Sequence, residues 1–134
     1  MTTLEILNSP SIRLNFDIER LQQSLDQNDE RFRCAFITYV NEALFFNSVL
    51  DDDFSNIKHP AGILEVGAGI GLLSMLIALR GFEVVAYEPE SDGFDLMESI
   101  RQTLSDCWTG PNINVTFIKD FFTMDVAENS KRQI

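Results

Sequence analysis

Residues at spacings that chemistry can use are concentrated in one stretch of this sequence. A glycine series, Gly67-Ala68-Gly69-Ile70-Gly71, follows the short apolar run Gly62-Ile63-Leu64-Glu65-Val66. Acids punctuate the same region: Glu65 just before the series, Glu88 twenty-one residues after Gly67, and Asp120 further on. The first glycine lets a chain turn sharply at the end of a strand, and the second removes a side chain so that a ligand can approach the backbone. Exposed amides at the N-terminus of the following helix hold a negatively charged group. A carboxylate at the end of a second strand is a double acceptor for two ribose hydroxyls, and Glu88 stands where that acid belongs. The chemistry implied is that of a nucleotide-type ligand.

Spacing then separates the ligands. A dinucleotide fingerprint, G-x-G-x-x-G, would place its third glycine at position 72, where this chain has leucine. The residues present are Glu65-Val66-Gly67-Ala68-Gly69-Ile70-Gly71, or E-x-G-x-G-x-G. Here the chain resembles the class I S-adenosylmethionine-dependent methyltransferases over about residues 61 to 122. The resemblance implies that Glu65 lies near the methionine amino group, while Gly67, Gly69 and Gly71, with Ala68 between them, shape the loop beneath the methionine part. It implies that Glu88, followed by Pro89, binds the ribose. It also implies that Asp120 accepts from the adenine amino group, with Phe121 offering its backbone amide or an apolar wall.

The family's full domain has seven strands in the order 3-2-1-4-5-7-6, and this sequence supplies the first three. The motif against the transferring methyl belongs to the fourth, so the catalytic residues stay unknown. One edge of the strand at Ile63, Leu64 and Val66 is then left without a partner, and an open strand edge invites association. Three readings follow: a fragment of a longer protein, a partner chain that completes the sheet, or self-association of two copies. The fragment is the first expectation.

The elements that must position these residues are legible to different degrees. Gly62 to Val66 reads as a buried parallel strand. Leu72, Leu73, Leu76, Ile77 and Leu79 continue as a helix that Gly81 ends as a left-handed cap, and Glu83 to Glu88 is a second strand closed by Pro89. Phe94 to Cys107 has helical spacing, Gly110-Pro111-Asn112 is a turn, and Ile113 to Ile118 is a third strand. The expected fold is α/β, a Rossmann-like doubly wound parallel sheet of which the first three strands are present, preceded by N-terminal helices. Residues 1–60 are the helical segment and 61–134 the S-adenosylmethionine-binding half; the chain beyond Phe122 decays into the polar stretch Glu128 to Ile134.

In the first region Leu14, Ile18, Leu21 and Leu25 fall on one helix face, while Ile12, Leu14, Phe16 and Ile18 alternate as a strand would. A short helix from about Asp17, capped by that aspartate, is the favoured reading. Glu30 to Leu50 is a long helix with a broad apolar face. It should end at or before Asp51-Asp52-Asp53, because acids oppose the macrodipole at a helix C-terminus, leaving a solvated loop and a linker from Phe54 to Pro60. In the resembled family such helices often cover the cleft, so Phe32 to Phe46 is either a lid or ordinary core packing, with packing favoured.

Composition sets the outer bounds. The 134 residues are 45% apolar, with eleven phenylalanines, which is a globular composition. The net charge of −11 repels phosphate backbones, so nucleic acid is not expected as a partner. Apolar runs are too short to span a membrane, and Met1 to Pro10 lacks the marks of a signal peptide, so the expected location is cytoplasmic. Cys34 and Cys107 are read as reduced, packing thiols, His59 as loop punctuation, and no metal site is expected. The function expected from the resemblance is methyl transfer from S-adenosyl-L-methionine to a small-molecule or protein acceptor. Against it stand a non-catalytic S-adenosylmethionine- or partner-binding subunit, and an NAD-linked oxidoreductase disfavoured by Leu72.

Overall fold

The computed structural model describes residues 2–89, 95–123, 125 and 127. Its elements are α1 (Thr3–Leu7), α2 (Pro10–Arg13), α3 (Ile18–Gln27), α4 (Glu30–Val49), α5 (Asp51–Ser55), β1 (Gly62–Val66), α6 (Leu72–Leu79), β2 (Glu83–Tyr87), α7 (Asp95–Cys107) and β3 (Asn114–Ile118). The fold is α/β, with a three-stranded parallel sheet in the order β1-β2-β3. Phe94 and the polar stretch Glu128 to Ile134 lie outside the described residues.

Local chemistry explains most boundaries. Asp17 caps α3 by accepting a hydrogen bond from the Arg20 amide at 3.2 Å. The competing strand alternation survives at one residue: Phe16 forms an isolated antiparallel bridge with Trp108, and the two rings meet edge to face at 5.2 Å. α4 ends at Val49, before the three aspartates, but these do not form the expected loop. The chain resets at Leu50, so Asp51, Asp52 and Asp53 fall in the first turn of α5, the terminus where negative charge is favourable. Arg80 then ties this turn to α4 and α6, pairing with Asp51 at 2.6 Å and donating to the Asn47 carbonyl at 3.0 Å. Phe54, expected in a linker, instead packs against Phe82.

One face of the sheet receives the helices. Register places Ile63, Val84 and Val115 in one row and Glu65, Ala86 and Phe117 in the next on that face. Ile77 and Ala78 of α6 pack on the first row. Beyond it, Ile6, Leu21, Phe32, Phe36, Leu72, Ile100 and Leu104 form one core shared by the N-terminal helices, α6 and α7. The opposite face presents Leu64 and Val66, 45% and 58% exposed, and the exposed Thr116. β1, expected to be buried, is therefore a half-covered edge strand. The reason is topological. The order β1-β2-β3 advances in one direction, so right-handed crossovers set both α6 and α7 on the same side. Winding over the second face requires the chain to reverse from β1, and no described residue does so.

The two thiols differ. Cys107 is buried, as expected, but Cys34 lies exposed on α4 because it falls off the face that buries Phe32, Phe36 and Val40. Among the described residues, no helix is long and apolar enough to cross a membrane.

Candidate ligand site at the carboxyl ends of the strands

The loop between β1 and α6 is built on positive φ angles: 74° at Gly67, 57° at Gly69 and 80° at Gly71. Residues with a Cβ rarely adopt these angles, which is why the series is glycine at alternate positions. The amides of Gly67 and Ala68 both donate to the Tyr87 carbonyl, at 2.8 and 3.1 Å, so the loop is anchored to the end of β2. Gly71 is also required by close approach, because a Cβ there would stand 2.6 Å from the Phe117 ring. It N-caps α6, whose first amides have no intrahelical acceptor.

Above this loop lies a cavity of about 520 Å³, lined by residues of β1, the loop, α4 and α6, together with Glu88 and Met97. Among the described residues its carboxylates are Glu42, Glu65 and Glu88, and no lysine or arginine lines it. Burial pushes the Glu65 carboxyl up from its ordinary value; a hydrogen bond from the Ser74 hydroxyl opposes the rise, and the nearby Glu88 charge adds to it. Glu88 accepts from the Gly69 amide at 2.9 Å, while its own amide donates to the Ile118 carbonyl at 3.0 Å. A second cavity of about 440 Å³ lies at the amino ends of the strands around Gly62, Glu83 and Asn114, and among the described residues Glu83 is the one charged group lining it. Parallel sheets bind ligands at their carboxyl ends, so the first cavity is the candidate.

The structure thus brings Glu65, Gly67, Ala68, Gly69 and Glu88 to one cavity. Gly71 lies beneath the loop instead, against Phe117 and Arg101, and Pro89 follows Glu88 outside the lining. Asp120 and Phe121 do not line the cavity either. They are exposed beyond β3, where the Asp120 amide donates to the Ile118 carbonyl and the Asp120 carboxylate accepts from the Phe121 amide at 2.8 Å.

α4 divides between core and cavity. Phe32, Phe36 and Val40 are core, while Tyr39, Glu42, Ala43 and Phe46 face the cavity. Two further residues have no place in the motif reading. Ser74 is fully buried on α6 and holds Glu65. It is the lone polar residue in Leu72–Leu79, a signal that could have marked it. Arg101 of α7 donates to the Gly69 carbonyl at 2.7 Å. It shares a helix face with Met97, Ile100 and Leu104, and a charge embedded in an apolar stripe was the available clue.

No family model matches the chain, and no solved structure matches it. Two curated proteins of Mycobacterium tuberculosis are similar to it: Uncharacterized protein MT1557 of strain CDC 1551 / Oshkosh and Uncharacterized protein Rv1509 of strain ATCC 25618 / H37Rv. Each is 27% identical over 133 residues, an alignment covering 92% of this chain and 45% of the relative. The chain therefore spans about half the length of the curated relatives it matches.

Proposed function

We propose that this chain is the cofactor-binding portion of a Rossmann-like, S-adenosyl-L-methionine-dependent methyltransferase acting in the cytoplasm on a small-molecule or protein acceptor. The observation that carries this reading is the charge of the cavity over the glycine loop: among the described residues Glu42, Glu65 and Glu88 line it, and no basic side chain does. A dinucleotide would bring its pyrophosphate dianion toward those carboxylates, whereas an adenosyl sulfonium carries an ammonium and a sulfonium that they attract. The residues fit the smaller ligand in kind as well. The Glu65 carboxylate suits an ammonium, the loop and first-turn amides of α6 suit a carboxylate, and Glu88 suits vicinal hydroxyls.

On this reading Glu65, Gly67, Ala68 and Gly69 receive the methionine part, with Gly71 shaping the loop from beneath, and Glu88, followed by Pro89, receives the ribose; Asp120 and Phe121, exposed beyond β3 and outside the cavity, meet the adenine only where the ligand extends past Glu88. When bound, the cofactor supplies an electrophilic methyl group. The chain's own part is to bind and orient it, with Tyr39 and Phe46 of α4 shielding the cavity from water. We place the acceptor contacts and the catalytic residues outside the three-strand unit, on a neighbouring segment or chain that meets the open β1 edge.

Calorimetric titration of the chain with S-adenosylmethionine, S-adenosylhomocysteine and NAD tests the reading. Binding of the adenosyl compounds without NAD is the expected outcome. NAD binding with neither adenosyl compound would overturn it.

A further inference from the structure

The glycine loop is gripped on both sides of a single residue. The Gly69 amide donates to Glu88 Oε2 at 2.9 Å, and the Gly69 carbonyl accepts from Arg101 Nη1 at 2.7 Å. These two groups belong to the consecutive peptide units that flank one Cα, so together they fix both dihedrals of a residue held at φ +57°. The Arg101 guanidinium is itself seated, 5.5 Å above the centroid of the Phe117 ring. That ring packs beneath Gly71, where an added Cβ would also meet Arg101 Cδ at 3.2 Å. One side chain of α7 therefore contacts the loop at Gly69 and passes beside Gly71.

We infer that Arg101 is a positioning residue of the site, forming with Glu88 a clamp that holds the Gly69 peptide units in the ligand-receiving conformation. Glu88 alone would be a poor anchor, since the same carboxylate is the acceptor proposed for the ribose. With Arg101 on the opposite side, the loop keeps its shape whichever partner Glu88 engages. Burial lowers the guanidinium's pKa and the Glu88 charge opposes this; among the described residues the other ionisable groups facing the cavity are Glu65 from β1 and Tyr39 and Glu42 from α4. The ligand consequence rests on the methyltransferase reading, but the clamp itself does not.

Amide hydrogen exchange on the whole ligand-free chain reads the clamp directly. In R101M, exchange across Gly67 to Gly71 should rise by about tenfold or more, the scale of one charge-assisted hydrogen bond. Ile100 and Leu104, in the core turn of the same helix, should keep their protection. R101K, which retains a donor, should recover part of the loop's protection. Unchanged loop exchange in R101M overturns the inference, as does an equal rise in loop and helix, which is plain loss of packing. Should R101M fail to fold, the same comparison is read in R101K, where loop exchange must rise ahead of the helix. S-adenosylhomocysteine titration adds the second arm, with about tenfold weaker binding expected in R101M. If the unaltered chain binds no adenosyl compound, the methyltransferase reading fails while loop exchange still decides the clamp.

Discussion

The Glu65 carboxylate accepts a hydrogen bond from the Ser74 hydroxyl, joining the carboxyl end of β1 to the first turn of α6. Ser74 is fully buried, so its hydroxyl has no solvent alternative. Replacing it with alanine should lower stability by about 1.5–3 kcal/mol, the range for a hydrogen bond to a charged group. It should also push the Glu65 carboxyl further up. A urea midpoint and a carbon-detected carboxyl titration that both match the unaltered chain would refute this role.

Glu65 also sets a pH dependence. Its folded value is raised above the ordinary 4.5, chiefly by burial, with Ser74 opposing and the Glu88 charge adding. A raised acid is favoured protonated in the fold, so its contribution to stability is full below 4.5 and is lost as pH rises through the folded value. The stability of the chain minus that of Glu65→Gln should therefore decline from acid toward neutral pH in paired urea titrations. On the proposed methyltransferase reading, adenosyl-ligand affinity should move the other way, weakening on acidification as the carboxylate assigned to the ammonium is neutralised, and Glu65→Gln should flatten that dependence. A stability difference that grows with pH would contradict the assignment.

The loop glycines should separate under substitution. Gly67→Ala meets nothing within 4 Å but must hold φ +74°, which costs about 1–2 kcal/mol from the left-handed backbone alone. Gly71→Ala carries the same backbone penalty at φ +80° and also drives a methyl to 2.6 Å from the Phe117 ring. It should lose about 1–3 kcal/mol beyond Gly67→Ala, in line with overpacking. Thermal unfolding of the pair gives the comparison, and equal losses would mean that Phe117 moves aside freely.

The open side of the sheet gives a prediction about assembly. Leu64 and Val66 are 45% and 58% exposed on the edge strand. A lysine at Val66 should leave stability within about 0.5 kcal/mol, as surface substitutions do. It should also reduce concentration-dependent association in sedimentation velocity, because charge on an edge strand blocks pairing. Association that persists unchanged in Val66→Lys would place the contact elsewhere.

The sequence by itself determined the strand, glycine loop, helix and strand of residues 62 to 88, the caps at Asp17 and Gly81, and the position of Glu88. These are local properties. Positive φ angles select glycine, periodicity separates strand from helix, and a capping side chain reaches only three residues along. Only the tertiary structure decided which side chains converge. Gly69 meets Glu88 across 19 residues and Arg101 across 32, distances over which spacing carries no geometric information. The packing of α4 and α7 on one face of the sheet brings Glu42, Tyr39 and Arg101 to the loop. The turn after β3 leaves Asp120 exposed, bonded to its own neighbour, outside the cavity. The one-sided sheet follows from strand order, which is set when helices settle on a face rather than by the pattern of any single element.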